Sequence, residues 1–226
     1  MSTSEANVPG RVSVVIPLFN GAEHITAALD SVFAQQHADI EVIVVDDGSL
    51  DDGAARVRAY PRPVRLLSQE NSGSGVARNS GVAAASGEWL AFLDADDLWA
   101  EGKLALQLAA FEEQPELDIV WGHVTEFVHG MDPMQNTSRP LAGGHPGTAL
   151  MRMPAFARSG GFAHDLAQCE VVDWVSRVVA AGLHHTTLDA VLMYRRLHAR
   201  NKGRLHPGMQ RQYLQALKRH LDRQRS

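Results

Sequence analysis

Apolar residues along the chain follow two alternating patterns, short continuous runs and longer stretches with helical spacing. The runs at residues 12–16, 40–45 and 89–93 are too short for helices and are rich in β-branched or aromatic side chains, which is typical of buried strands. Residues 22–33 instead place one apolar face at helical spacing, formed by Ile25, Leu29, Val32 and Phe33. A strand, a helix and a strand in this order predict a βαβ unit with parallel pairing and a right-handed crossover.

The same alternation continues through the rest of the chain. Its spacing predicts further helices at residues 51–60, 76–85, 104–111, 155–160 and 171–181, with another helix start near Leu98, and further strands at residues 64–67, 119–121, 148–153 and 188–194. Residues 127–145 are rich in Met, Pro, Gly and Asn and predict an irregular segment that acts as a lid or recognises an acceptor. The fold class that follows is α/β, a single domain with a mostly parallel central sheet flanked by helices.

Length and composition narrow the class of protein. With 226 residues and 45% hydrophobic content, the chain can bury a sizeable core as one domain or two merged halves. We expect a cytoplasmic protein, because no apolar run approaches the roughly 20 residues of a membrane span and residues 1–10 lack a signal-peptide pattern. The single cysteine, Cys169, excludes an internal disulfide and a multi-cysteine metal site.

Charge is distributed unevenly. The formal net charge is −5, yet residues 195–226 contain many Lys and Arg and a single acid, Asp222. The sequence predicts a helix in residues 206–226, with an apolar stripe formed by Met209, Tyr213, Leu214, Leu217 and Leu221. This basic segment is interpreted as a solvated helix packed on its own domain, with three alternatives: contact with anionic lipid, recognition of a phosphorylated acceptor, or a homodimer contact. No nucleic-acid partner is expected.

Three carboxylates follow the strand at residues 89–93. Alternation along an extended chain places Asp94 and Asp96 on the same side, at a strand's carboxyl end, where open α/β sheets bind ligands. Two such carboxylates repel each other unless a cation lies between them, and a divalent Mg²⁺ or Mn²⁺ that also binds a phosphate suits this position. The alternative interpretation is that Asp96 and Asp97 cap the helix predicted to start near Leu98.

Two other chemistries fit the sequence poorly. The loop at residues 73–78 resembles a dinucleotide fingerprint, but Arg78 occupies the position of the third glycine. Asp94 and Asp96 have the spacing of an aspartyl-phosphate phosphatase, but the later Lys and acid pair that such an enzyme needs is not evident.

Five motifs in fixed order closely resemble family 2 inverting glycosyltransferases of the GT-A fold. The motifs are Val14-Val-Ile-Pro-Leu-Phe-Asn20, Val44-Val-Asp-Asp-Gly-Ser49, Asn71 with Ala77-Arg-Asn79 and Gly81, Gly87-Glu-Trp89, and Leu93-Asp-Ala-Asp-Asp-Leu-Trp99. The resemblance is strong over residues 11–99. It weakens afterwards and returns at residues 160–162, at residues 173–174 and at residues 194–201.

The resemblance implies a role for each donor-site residue. Pro17 and Phe19 would line the base pocket of a nucleotide-diphosphate sugar, Asp46 would hydrogen-bond the nucleobase, and Arg78 would lie near the donor phosphates. The implied nucleotide-binding set is Pro17, Phe19, Asn20, Asp46, Gly48, Arg78 and Asp94, and the implied metal set for Mn²⁺ or Mg²⁺ is Asp94, Asp96 and His198. For Asp46 and Asp47 the alternative is turn chemistry.

The resemblance also implies a catalytic base. The family places an acidic pair before a helix with a following Trp and Arg, matched here by Glu170, Asp173, Trp174 and Arg177. The second acid of the pair is replaced by Val171, which leaves Asp173 or Glu170 as the base. We favour Asp173, and the alternative is that Asp173 pairs with Arg177 one helical turn away.

Together these features predict a hexosyltransferase-type enzyme. The expected reaction transfers a sugar from a nucleotide-diphosphate donor to a hydroxyl acceptor. It depends on a metal ion and proceeds with inversion, and the expected donor is linked to UDP. The alternative is a catalytically degenerate nucleotide-sugar-binding module. One GT-A glycosyltransferase domain is expected over residues 1–226, with a nucleotide-sugar half at 11–99, an acceptor half at 100–205 and the basic helix at 206–226. The basic helix would hold the protein peripherally at the inner face of the membrane if it contacts lipid.

Overall fold

Four parallel strands form one half of a single sheet. The computed structural model describes residues 7–135, 138–166, 169–198 and 218–219. Strands β1 (Val8–Leu18), β2 (Ile40–Asp46), β3 (Arg65–Ser68) and β4 (Gly87–Phe92) lie in the order β3-β2-β1-β4. Val14 on β1 pairs with Val42 on one side and with Ala91 on the other, and all three side chains are buried. The continuous apolar runs are therefore strands that are covered on both faces.

Helices connect and cover this parallel half. They are α1 (Ile25–Phe33), α2 (Gly53–Arg58) and α3 (Ser74–Ala83). Helix α3 packs so closely on β1 that a Cβ atom added at Gly81 would lie 2.3 Å from Cγ1 of Val15. The absence of a side chain at Gly81 thus fixes the approach of this helix to the sheet.

The second half of the sheet is mixed. It contains β5 (Leu98–Trp99), β6 (Ile119–Val128), β7 (Leu141–Ala142), β8 (Leu150–Arg152) and β9 (His185–Leu197), with helices α4 (Lys103–Glu113), α5 (Met153–Arg158) and α6 (Glu170–Ala180). The order continues β4-β8-β6-β9-β5, and β7 pairs with β6. Among the described strand pairs of this half, β6 and β9 are parallel and the other pairs are antiparallel. The predicted fold class, an α/β domain with a mostly parallel sheet flanked by helices, is confirmed.

The prediction that a helix starts near Leu98 is wrong. Leu98 and Trp99 form strand β5, which pairs with Tyr194 and Met193 of β9, and helix α4 begins only at Lys103. The Trp99 Nε1–H donates to the backbone oxygen of Gly147 at 3.1 Å, which adds a second long-range constraint. Tertiary pairing has therefore overridden the helical spacing at this point.

Strands β6 and β9 are longer than the sequence predicts. They pair in parallel from Ile119 with His185 to Val128 with Leu197, with irregular register near His123. Polar residues such as Thr125 and Glu126 interrupt the apolar pattern in β6, which explains why the predicted strand was too short.

Two apolar clusters cover the two faces of the sheet. One joins α1 and α4 to the sheet, and the other is aromatic, with Phe92, Phe156, Phe162 and Trp174 in mutual ring contact. Of the predicted C-terminal helix, Lys218 and Arg219 are described, and the apolar stripe lies outside the described residues. No helix in the described ranges is both long enough and apolar enough to cross a membrane.

Candidate functional site

The carboxyl ends of three parallel strands meet at one edge of the sheet. Leu18, the last residue of β1, pairs with Asp46, the last residue of β2, and β4 ends alongside at Phe92. The segments that follow each strand therefore start from neighbouring positions. This edge is where open α/β sheets bind ligands.

The segment after β1 is held by the segment after β2. The Asn20 amide N–H donates to Ser49 Oγ at 3.0 Å, and the Asn20 side-chain oxygen accepts from the Leu50 amide at 2.8 Å. Asn20 has a φ of 50°, a left-handed conformation that Asn tolerates better than most residues. The Phe19 ring beside it is 44% exposed, so an apolar surface is open at this edge.

The two aspartates at the end of β2 order different loops. Asp46 Oδ1 accepts from the Ser49 amide at 3.0 Å, an Asx-type turn that the sequence analysis gave as the alternative to binding. Asp47 is 3% exposed and accepts from the backbone amides of Ser72 and Gly73 at 2.9 and 2.8 Å. Sequence reasoning missed this role of Asp47, because its partners are more than twenty residues away. Asp47 thus holds the β3–α3 loop against the β2 end.

Two further residues of the implied nucleotide set shape the backbone. Pro17 lies within β1 and is partly exposed, opposite Val45 of β2. Gly48 has a φ of +75°, and a Cβ atom there would lie 3.0 Å from the Asn71 nitrogen. A side chain at Gly48 would therefore strain the turn and push the neighbouring loop away.

Arg78 lies at the centre of the charged residues. Its side chain is 3% exposed, and its guanidinium contacts Asp94 Oδ1 at 2.5 Å and Glu170 Oε1 at 3.5 Å. Burial alone lowers the pKa of Arg78, but the two carboxylates raise it above its ordinary value, so the guanidinium stays charged. Arg78 thereby joins Asp94, of the implied donor set, to Glu170, a candidate base.

The acids after β4 have separate partners. Asp96 Oδ2 lies 2.8 Å from Nε2 of His198, whereas Asp97 is buried and accepts from the Arg196 amide at 2.8 Å. Burial raises the pKa of Asp97 well above its ordinary value, and the neighbouring charges of Asp96 and Asp94 raise it further. The structure thus pairs two members of the implied metal set, Asp96 and His198, directly with each other.

A histidine that the sequence analysis did not select completes another group. One ligand atom each from Asp94, Asp97 and His145 lies within 4.8 Å of the others. His145 Nδ1 accepts from the Gly147 amide at 3.1 Å, and burial lowers the pKa of its ring. The neutral ring then carries its proton on Nε2. No local motif marks His145, because it comes from the irregular segment at residues 127–145.

Carboxylate oxygens and imidazole nitrogens at this edge suit a divalent cation. The side chains of Asp94 and Asp96 are 30% and 31% exposed. Hard oxygen donors with partial exposure fit Mg²⁺ or Mn²⁺, which retain water and phosphate ligands. The donor set is therefore chemically compatible with the metal that the resemblance implies.

The two candidate bases occupy different environments at the start of α6. Glu170 accepts from Ser74 Oγ at 2.8 Å in addition to its contact with Arg78. Asp173 is 1% exposed and accepts from Arg177 Nε at 2.9 Å, the pairing that the sequence analysis gave as the alternative to catalysis. The structure therefore brings Glu170, rather than Asp173, into the charged group around Arg78.

Several known proteins are similar to this chain. An uncharacterized glycosyltransferase of Nostoc sp. is 37% identical over 126 residues, 54% of this chain and 38% of the relative. The succinoglycan biosynthesis protein ExoO of Rhizobium meliloti is 47% identical over 88 residues, 38% of this chain and 25% of the relative. The chain thus spans well under half the length of these relatives.

Solved structures share the fold. Residues 1–349 of S. aureus TarS, in complex with UDP-GlcNAc, superpose with a TM-score of 0.79 at 21% identity, covering 94% of this chain and 66% of that TarS chain. The mannosyltransferase PcManGT from Pyrobaculum calidifontis, in complex with GDP-Man and Mn²⁺, gives a TM-score of 0.68 at 22% identity, covering 93% and 63% of the two chains. The sequence profile of glycosyl transferase family 2 matches residues 13–164, which include the whole carboxyl edge from β1 to β4 and most of the residues that face it. The chain described here therefore belongs to glycosyl transferase family 2.

Proposed function

We propose that this chain transfers a sugar from a nucleotide-diphosphate donor to a hydroxyl acceptor. The observation that carries the proposal is the charged group at the carboxyl edge, in which Arg78 joins Asp94 of the donor set to Glu170 at the start of α6. Family membership and the nucleotide sugars bound by TarS and PcManGT support the same reaction class.

The donor base would bind between the ends of β1 and β2. The exposed Phe19 ring and Pro17 offer an apolar surface, and the Asp46 carboxylate offers a hydrogen-bond acceptor beside it. An acceptor there suits a ring N–H of a nucleobase, which uracil and guanine both have. The UDP-GlcNAc bound by TarS supports UDP as the proposed donor nucleotide, with GDP as the comparison in the experiment.

A divalent cation would be held by Asp94, Asp96 and His198. When bound, Mn²⁺ or Mg²⁺ offsets the charge that develops on the departing diphosphate. The contact of Asp96 with His198 at 2.8 Å orients this carboxylate, and Arg78 orients Asp94 from the buried side. These two contacts hold both carboxylates in place at the end of β4.

Inverting transfer needs a carboxylate that takes the acceptor proton on the face opposite the leaving group. Glu170 and Asp173 are the candidates, and the contacts of Glu170 with Arg78 and Ser74 favour Glu170.

Calorimetry with UDP or GDP, with and without Mn²⁺, tests the donor proposal. We expect Asp96→Asn to abolish the Mn²⁺-dependent part of nucleotide binding, because one charged ligand is lost. Asp189→Asn is the matched control, since Asp189 is fully exposed on β9. Unchanged nucleotide affinity in Asp96→Asn would remove the metal role of this carboxylate.

A catalytically degenerate binding module is the second candidate. It is favoured by Val171 at the position of an expected acid and by the ion pairs that hold both Glu170 and Asp173. Release of UDP from the donor sugar, measured for Glu170→Gln and Asp173→Asn, separates the candidates. A loss of turnover by orders of magnitude in one variant, with donor binding preserved, identifies the base. Tight binding without turnover in the unmodified protein indicates the binding module.

A further inference from the structure

A second group of metal-ligating side chains lies outside the carboxyl-edge set. Glu23 and His24 immediately precede helix α1, and His129 immediately follows strand β6. One ligand atom from each lies within 4.8 Å of the other two. Neither proposed donor binding nor proposed proton transfer uses these three residues.

The distances within this group suit a small coordination sphere. Nε2 of His129 lies 3.1 Å from Glu23 Oε1, and Nε2 of His24 lies 3.9 Å from Glu23 Oε2. Ligands of a tetrahedral ion with metal–ligand distances of about 2.0–2.1 Å are about 3.4 Å apart. The two separations from Glu23, 3.1 and 3.9 Å, lie on either side of that spacing.

The backbone already holds two of the ligands. His24 is 8% exposed, and its amide donates to the Gly21 oxygen at 3.0 Å. The His129 amide donates to the Leu197 oxygen at 3.0 Å, which fixes the end of β6 against β9. The His24 and His129 rings are 5.1 Å apart, centroid to centroid. The fold therefore holds the backbone of both histidines in place, with their rings close together.

The donor types select the class of ion. Two imidazole nitrogens and one carboxylate oxygen match the His₂Glu set of zinc sites and suit Zn²⁺ or Co²⁺ better than Mg²⁺ or Ca²⁺. The oxygen-rich set at Asp94 and Asp96 has the opposite preference. The chemistry of the two groups therefore differs, although the His24 and His198 rings are only 5.1 Å apart.

We propose that Glu23, His24 and His129 form a transition-metal site of the zinc class, separate from the carboxyl-edge set. An ion there would link the start of α1 to the segment that follows β6. Because residues 127–145 begin at this point and also carry His145, the ion would fix one end of that segment beside the proposed donor site.

Titration with Co²⁺ tests the site, because a tetrahedral Co²⁺ complex has intense visible absorption. We expect one equivalent of Co²⁺ to give this spectrum and one equivalent of Zn²⁺ to abolish it. His129→Ala and Glu23→Gln change exposed side chains, so folding should be retained. Each should weaken Co²⁺ binding by more than the roughly 100-fold that loss of an outer-sphere partner costs.

Two controls locate the ion. His185→Ala removes an exposed histidine of β9 and should leave the Co²⁺ spectrum unchanged. Asp96→Asn disables the proposed donor-site metal and should also leave it unchanged, so that failure of this site is distinguishable from failure of the proposed function. The proposal is overturned if the unmodified protein gives no tetrahedral spectrum, if the spectrum survives in His129→Ala, or if Asp96→Asn abolishes it.

Discussion

Replacing Arg78 by Met tests whether this buried cation holds the charged group together. Arg78 and Glu170 are 3% and 8% exposed, and their closest charged atoms are 3.5 Å apart. Two unit charges at that distance attract by about 5 kcal/mol at an effective dielectric constant of about 20. Met keeps the unbranched apolar stem of the side chain but removes the guanidinium from both carboxylates.

The expected loss in unfolding free energy is set by the carboxylate that stays buried. Removing one partner of a buried ion pair costs about 3–5 kcal/mol. Water screens Asp94, whose side chain is 30% exposed, so we expect a value near the lower end, about 3 kcal/mol. For a chain of this size that corresponds to a decrease in Tm of about 6–12 °C.

Urea denaturation and thermal melts at pH 7 measure this loss. Arg195→Met is the matched control, because Arg195 and Glu126 form an ion pair at 3.0 Å whose side chains are each about one third exposed, and its loss should cost less than about 1 kcal/mol. Adding Glu170→Gln to Arg78→Met should recover part of the stability, since the buried negative charge is then removed as well. A Tm of Arg78→Met within the range of the Arg195→Met control would refute this account of the site.

Three further predictions concern other parts of the fold. Gly81→Ala should lower the free energy of unfolding by about 1–2 kcal/mol in urea, because the clash with Val15 outweighs the gain in helix propensity; equal or higher stability would contradict the packing described for α3. Burial lowers the pKa of Lys103 well below its ordinary value of 10.5, so the unfolded chain binds more protons and the free energy of unfolding should rise with pH up to about 10.5. Lys103→Met should flatten that rise, and an identical pH profile in the variant would refute the assignment. Burial raises the pKa of the Cys169 thiol, so Ellman's reagent should label it slowly in the native protein and rapidly in denaturant, and fast native labelling would contradict its burial.

The parallel half of the fold could be predicted from sequence because its strands are continuous apolar runs. Buried strands covered on both faces leave that pattern, and the acids that follow β2 and β4 mark where those strands end. Strands β5 and β9 left a weaker pattern, because β5 has two residues and polar residues lie on both sides of the apolar part of β9. Both strands form by pairing with segments that are remote in sequence, and the spacing of apolar residues does not reveal such pairing.

The candidate site likewise contains residues that could be predicted from the sequence and residues that could not. Asp46, Asp94 and Asp96 were selected as candidates because each belongs to a motif at the end of a strand. Asp47 was interpreted, together with Asp46, as a binding residue with turn chemistry as the alternative. Neither its contacts with the β3–α3 loop nor His145 was predicted, because these contacts join segments that are remote in sequence. Glu170 and Asp173 were both candidates, and only the three-dimensional position of Arg78 separates them. Which residues belong together at this edge is therefore a property of the folded chain.

The pairing of β5 with β9 bears on how this protein can be divided. Leu98 and Trp99 are held by residues 193–194, and the Asp97 carboxylate accepts from the amide of Arg196. A fragment that stops after residue 99 would therefore contain the acids that follow β4 but lack the strand that shapes their loop. During synthesis, nearly the whole of β9 must leave the ribosome before this loop can reach its native position, so the loop matures late, although the strand before it is made early.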